Sequence, residues 1–509
     1  MRSVATLTLL SLGTLGCVAE RGPLTNEMAE AGTRYLALAA REPVGWQTWS
    51  EETFRLAARL DRPVLLYIGA EDCRLCAAMD RETYAQLAMG ALIDSLFVPV
   101  RVDRDERPDV AARYAVAVEL LAGLRGYPLT AFLTPDGAPF FGGTYFLADD
   151  PVTGRGMKQI LPEVARSFRK ERPFIRRQAA LLEQLASARQ TGAHGVLEPQ
   201  AIAAAIDSVR AELAAAPDAR APVASVRFTQ AVGLLLEAAA EGGDARDLAL
   251  ARPALDLLAD SGAAALAATR RDDPPALVRA GMLRALATGW TLTGDTRYRD
   301  ATRPLMRALR TAVGGGSRRA AFTDREAYLV GSLLAGGRAI EDSGTIESAR
   351  VALDGLLARV YARGHGVRHG STVPSAAPAL FQDQVQVADA ALEAYQATGN
   401  SNYLGVARDL AATFERDFAD SLGGYFDSAP ADSVAPALAD RTKQVLDDLL
   451  PGANAWAARV LLELARVTGE AAYRRRAEAT LEAFAGLMPA QGARASSYLA
   501  TARAVLSTP

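Results

Sequence analysis

Apolar residues along this chain follow two rhythms, and the change falls near residue 190. Before it, short unbroken apolar runs alternate with helix-compatible stretches. Pro63-Val64-Leu65-Leu66-Tyr67-Ile68-Gly69 reads as a short buried strand, and Phe97-Val98-Pro99-Val100-Arg101-Val102 reads as a second. Gly126-Tyr127-Pro128 opens a third, Leu129 to Leu133. Thr134-Pro135-Asp136-Gly137 is a turn signal, and Ala138 to Phe141 is the returning strand of a hairpin. Ser50 is placed to cap a helix from Glu51 to Leu60, with two acidic residues in its first turn. Further helices are expected at about 108–121 and near 158–187. Strands that alternate with helices and close on a hairpin give an α/β domain.

After residue 190 the pattern is a helical repeat. Thr293-Gly294-Asp295, followed by Tyr298 and Ala301, recurs as Thr398-Gly399-Asn400 with Tyr403 and Ala407. It recurs again as Thr468-Gly469-Glu470 with Tyr473 and Ala477. Weaker copies sit at Gly243-Asp244 and Ser343-Gly344. In each copy a helix is expected to end at Gly, a polar residue to cap the next helix, and Tyr and Ala to pack inward. The five glycines are spaced by 51, 50, 55 and 70 residues, a length that suits a helical hairpin and its return. With a leading helix near 198–215 and a closing one near 494–507, twelve helices point to an (α/α)6 toroid. An open solenoid is the alternative, but it needs polar terminal caps.

Cys73-Arg74-Leu75-Cys76 stands where the first strand hands over to a helix. The free N–H groups and positive dipole end of a helix favour a thiolate at the first Cys, and the second can close on it one turn later. With the strand order above, this is the layout of a thioredoxin-type centre. In that fold the Pro opening the third strand is cis and faces the C-x-x-C, which assigns that place to Pro128. A plain trans turn is the alternative.

Composition adds limits. At 509 residues the chain has room for two to four domains. Its net charge of −3 supplies no basic field for nucleic acid. Lysine occurs only as Lys158, Lys170 and Lys443, so abundant arginine reflects composition more than recognition. Arg2 and the short apolar run Val4 to Leu15 read as an export signal too short to span a bilayer. Leu15-Gly16-Cys17 resembles a lipoprotein cleavage site with Cys17 as the lipidated residue, although Thr14 departs from it. Cleavage after Ala19 is the alternative. Both export the chain, to the periplasm or cell envelope, where disulfides persist. The expected organisation is therefore a signal at 1–17, a tether at 18–40, a thioredoxin-like domain at 41–190 and a helical toroid at 195–509.

Over about 46–146 the chain resembles the thioredoxin-domain family that includes spermatogenesis-associated protein 20. The resemblance is carried by Trp46, Trp49, Arg62 to Leu66 and the C-x-x-C, then by Met79 and Arg81 to Tyr84. Val102-Asp103-Arg104-Asp105-Glu106-Arg107-Pro108-Asp109, Tyr127 to Thr130, Thr134 to Gly137 and Phe141 to Phe146 extend it. It implies a thioredoxin-like domain joined to a six-hairpin glycosidase-like toroid. Phe381-Gln382-Asp383, Gly423 to Phe426, Asp440-Arg441 and Lys443 through Asn454 continue the match. Two departures bear on chemistry. Arg74, Leu75 and Ala77 stand where the family has His, Trp and His, and the toroid's histidine-bearing segments have no counterpart.

Cys73 is the expected attacking thiolate and Cys76 the resolving thiol. Arg74 acts against Glu71 and Asp72 on the charge at Cys73, so the helix terminus is the main tuning element. Tyr67 occupies the place where ordinary thioredoxins bury an acid, which argues against efficient general reductase activity. Two Cys without a nearby His make half of a zinc site, and no cofactor is expected. In the toroid, Asp383, Asp440 and Asp447 are the carboxylates a glycosidase would draw on. Only His194, His365 and His369 could serve an epimerase. The leading expectation is an exported thiol–disulfide oxidoreductase whose toroid docks a protein thiol or redox partner. The alternative is a non-catalytic binding protein with a structural disulfide and a toroid for carbohydrate or protein. The redox reading requires a Cys73 sulfur open to solvent.

Overall fold

The computed structural model describes residues 24–191, 193–215, 225–242, 245–267, 275–314, 322–370, 378–430 and 441–507. The expected signal segment with Cys17, the Gly243-Asp244 repeat copy and Asp440 lie outside them.

The α/β part contains α1 (Arg34–Leu38), α2 (Glu51–Leu60), β1 (Val64–Gly69), α3 (Arg74–Met79), α4 (Leu87–Leu96) and β2 (Val98–Asp103). α5 (Pro108–Ala122), β3 (Leu129–Leu133), β4 (Pro139–Gly143), α6 (Met157–Lys170) and α7 (Arg172–Thr191) follow. The sheet order is β2-β1-β3-β4, with β1 parallel to β2 and antiparallel to β3. Residues of one parity, among them Val64, Leu66, Ile68, Val100 and Leu129, face α2 and α5. The opposite parity, among them Leu65, Tyr67 and Phe132, packs on α3, α4 and α6. Both faces are covered, which explains the unbroken apolar runs. β2 is an edge strand, but Gln47 N–H donates to Pro99 O and Arg101 N–H donates to Gln47 O, closing that edge.

Two expectations need correction. From residue 24 on, the predicted tether is folded into this domain: Met28, Tyr35, Leu36 and Ala39 are buried against Trp46 and Tyr67. Their apolar side chains have a sheet face to cover, so this stretch is an extra layer on the domain. The predicted helix at 158–187 is two helices, α6 and α7, broken at Glu171. Pro173 at the second position of α7 has no N–H for a continuous ladder.

The helical part is a double ring. α8 (Pro199–Ala215), α9 (Val226–Gly242), α10 (Ala245–Ala267), α11 (Pro275–Thr293), α12 (Thr296–Gly314) and α13 (Thr323–Ala339) come first. α14 (Ser343–Val360), α15 (Phe381–Thr398), α16 (Ser401–Thr413), α17 (Ala453–Thr468), α18 (Ala471–Glu482) and α19 (Ser496–Ser507) complete it. α9, α11, α13, α15, α17 and α19 pack in succession, and α19 returns to α9. The other six flank them outside, so the array closes and needs no solenoid caps. Gly294, Gly399 and Gly469 end their helices as expected, with φ of 68°, 70° and 74°, but Gly344 of the weaker copy lies inside α14, which Asp342 caps. Tyr298, Tyr403 and Tyr473 are buried behind them. Side chains fill the bore: Arg284 of α11 donates to Asp389 of α15 (2.7 Å) and lies over Trp456 of α17.

Candidate functional site

β1 delivers the chain to a turn at Glu71-Asp72, and Cys73 then caps α3, its Sγ accepting the Cys76 N–H at 3.1 Å. Cys73 and Cys76 are disulfide-bonded. The Tyr127–Pro128 peptide is cis, on the approach to β3 beside β1. Tyr127 packs on Ala70, Cys73 and Cys76, and the Arg104 guanidinium lies 5.1 Å from the Tyr127 ring. Arg104 N–H donates to Gly69 O at 2.7 Å, tying the end of β2 to the end of β1. Beneath the bridge, the Tyr67 hydroxyl donates to Cys76 O at 3.3 Å.

The bridge is not open to bulk solvent. Cys73 is 2% exposed and Cys76 0%, which corrects the expectation of a solvent-open sulfur at 73. What surface Cys73 keeps borders a cleft of about 1730 Å3 between the two parts of the molecule. One wall carries Arg104 and Tyr127. The other carries Arg227 and Gln382, at the starts of α9 and α15, and Arg494, just before α19. The inner helices thus direct N-terminal ends at the cleft. Burial, Arg125 and Arg227 together hold the Arg494 guanidinium below its usual range.

The helical part docks on the loop that follows β2. His369 Nε2 lies 2.9 Å from Asp105 O, and its Nδ1 lies 3.0 Å from both oxygens of Asp383. Both ring nitrogens face acceptors, so the ring must donate from both and is an imidazolium. Burial alone would pull its pKa down, but the Asp383 carboxylate outweighs that and pushes it up to about 9. Arg325 reaches Asp105 Oδ1 at 2.5 Å, and Arg104 Nε reaches the same oxygen at 2.8 Å. Asp105 is therefore held well below the usual carboxylate range despite its burial.

Asp324, His369 and Asp383 lie close enough to suggest a metal centre. His369 has no free lone pair, however, and the cluster is better described as an ion pair with a capped helix start. The carboxylates considered for sugar chemistry are similarly occupied. Asp383 accepts the Asp324 N–H (2.9 Å), and Asp447 accepts those of Gly452 (3.0 Å) and Ser497 (2.9 Å). His194 and His365 are exposed. The expected Cys73–Cys76 bond and cis Pro128 are present, and Arg104, Asp105, Arg325 and His369 form an interface that the sequence does not announce. Its only signal there was the Val102–Asp109 motif.

These ionisations set a pH dependence. Burial raises Glu42 to about 7 and Asp427 and Asp447 to about 6, and also raises Asp103 and Asp324. A group with a raised folded pKa binds its proton more tightly in the folded state, so its contribution is lost as pH rises through that pKa. The carboxyls act from the ordinary acid range up to about 7 and His369 from there to about 9, all in one direction. The midpoint of thermal unfolding is expected to fall steadily from about pH 5 to about pH 9. Scans at constant ionic strength check this, and a flat or rising midpoint would refute it.

The architecture is that of a small α/β domain with a four-stranded sheet joined to a double ring of helices. Residues 25–186 match the model of a thioredoxin-type family named for DsbH and described as a protein of unknown function, DUF255. This match covers about a third of the chain, and it agrees with the resemblance read from Trp46 to Phe146. Human spermatogenesis-associated protein 20 is 33% identical over 147 residues, 29% of this chain and 19% of that protein. Uncharacterized protein B0495.5 of Caenorhabditis elegans is 33% identical over 160 residues, 31% of this chain and 22% of that protein. The matches span about a fifth of these relatives' length. Among solved structures, an unsaturated glucuronyl hydrolase specific for heparin is 13% identical with a TM-score of 0.45, covering 60% of this chain and 95% of its own. The cellobiose 2-epimerase of Bacillus thermoamylovorans is 12% identical with a TM-score of 0.41, covering 51% and 74%.

Proposed function

We propose that the protein is an exported thiol–disulfide oxidoreductase whose bridge is served through the inter-domain cleft. The observation that carries this reading is that the little surface Cys73 retains borders the cleft, while Cys76 is fully buried. Substrates are then thiols small or extended enough to enter, and folded protein surfaces are excluded. An incoming thiolate RS− attacks Cys73 Sγ, the Cys73–Cys76 bond breaks, and its electron pair leaves on Cys76. A second thiolate attacks the sulfur of R, forming RSSR and releasing Cys73 as thiolate. Two electrons pass to the protein. Arg104, Arg227 and Arg494 on the cleft walls favour the reagent's thiolate form. In this reading the ring's inner helix ends dock the substrate, Cys17 anchors the exported chain, and an oxidant partner, a disulfide or quinone that accepts the two electrons, re-forms the bridge.

The burial of both cysteines favours a second reading, in which the bridge is only a staple. Full-length Cys76→Ser and Cys73→Ser/Cys76→Ser variants, treated with an aromatic disulfide reagent while folded, separate the two. Under the proposal the single variant takes up one more equivalent than the double. If that equivalent appears only after denaturation, the bridge is structural.

A further inference from the structure

One buried donor beside the bridge has no partner. Tyr35, on α1, is 4% exposed and its hydroxyl makes no hydrogen bond. A buried unpaired hydroxyl is costly and calls for an explanation. Its position supplies one. A Cβ built on Gly69 would lie 2.0 Å from Tyr35 Oη and 3.1 Å from Cys76 Sγ. Hydroxyl and sulfur therefore share the space that glycine leaves at the end of β1.

Opening the bridge changes what this space must hold. When a thiolate attacks Cys73, Cys76 Sγ departs carrying the electron pair and a negative charge. Cys76 is 0% exposed, so water does not solvate that charge. Tyr67, the nearest counterpart of the usual buried acid, already donates to Cys76 O. The Tyr35 hydroxyl is free to turn to the sulfur. We propose that Tyr35 donates a hydrogen bond to the Cys76 thiolate once the bridge opens, stabilising the leaving sulfur of the exchange. The inference rests on the redox reading above. Burial raises the Tyr35 phenol well above its usual range, so it keeps its proton and acts as donor, not acid. Arg101, 4.6 Å from its ring, opposes that rise, and Asp80, Asp103 and Glu42 add to it.

The test uses full-length wild type, Tyr35→Phe and Tyr84→Phe. Tyr84 is a second buried phenol of the same layer, but its hydroxyl faces Thr130. Each is equilibrated with reduced and oxidised dithiothreitol, and reduced Cys73–Cys76 is counted by alkylation and mass. A hydrogen bond to a charged sulfur predicts a reduction constant about ten- to a hundredfold lower in Tyr35→Phe, and no change in Tyr84→Phe. The oxidised Tyr35→Phe protein is expected to unfold at the same or a higher temperature, because only an unpaired group is removed. An unchanged constant in Tyr35→Phe, with wild type exchanging normally, overturns the inference and leaves the redox reading intact. Oxidised Tyr35→Phe unfolding well below wild type overturns it as well, by making the hydroxyl structural. A wild-type bridge that dithiothreitol never opens overturns both.

Discussion

Asp383→Ala is expected to cost about 3–5 kcal/mol of folding stability, because it leaves a buried imidazolium without its anion. His369 is 2% exposed and Asp383 0%, so no water replaces the lost carboxylate. The same change strips the Asp324 N–H, at the start of α13, of its acceptor. Both losses fall where the helical part meets Asp105 of the α/β domain. The damage should therefore appear as looser docking, with raised hydrogen exchange in 103–107 and 322–326. Asp383→Asn keeps an acceptor for both groups and removes only the charge, so it should be milder. The pH profile gives an independent check. Without Asp383 the His369 pKa drops, and the fall in stability between about pH 7 and about pH 9 should flatten in either variant. Denaturant titration of Asp383→Ala within about 1 kcal/mol of wild type would show the ion pair to be dispensable.

What could be read from the sequence was local. The strand ending at Gly69, the C-x-x-C capping a helix, and the turn Thr134 to Gly137 are each specified within a few residues. The repeat was legible for the same reason, since Gly399 and Tyr403 act within one helix junction. Ring closure followed from counting such junctions. The rest depends on residues far apart in sequence. His369 meets Asp105 across 264 positions, and nothing near either residue announces the other. Residues 24–40 carry large apolar side chains at Leu24, Met28, Tyr35, Leu36 and Leu38, and nothing near them in the chain shows what these cover. Their role appears only once Tyr35 and Leu36 have the Tyr67 face of the sheet to cover. The burial of Cys73 is hidden from the sequence on similar grounds, because Tyr127 and the docked ring that narrow its access come from distant segments.

Arg101 is the other position where one substitution should be severe. A charged residue in a buried edge strand looks out of place, yet its guanidinium meets Glu42 at 3.1 Å and Asp80 at 2.7 Å. The rings of Tyr35, Trp46 and Tyr67 surround it at 4.6, 5.6 and 5.1 Å. Asp80 directly follows α3, so the cation ties the C-x-x-C helix to β2 and to the layer that carries Glu42. Arg101→Met keeps much of the volume and removes the charge, stranding two carboxylates at an expected cost of about 3–5 kcal/mol. Burial already raises Glu42 to about 7 against the pull of Arg101. Without that pull it rises further, and protonation relieves the stranded charge. The loss should accordingly be smaller near pH 5 than near pH 8, about the reference range set by the carboxyl group. Adding Glu42→Gln to Arg101→Met should recover part of the stability, since it removes one of the two orphaned charges. Urea unfolding of the single and double variants at both pH values gives the coupling directly. A double variant as unstable as the sum of the two singles would mean that Arg101 acts through its packing among the rings and not through its charge.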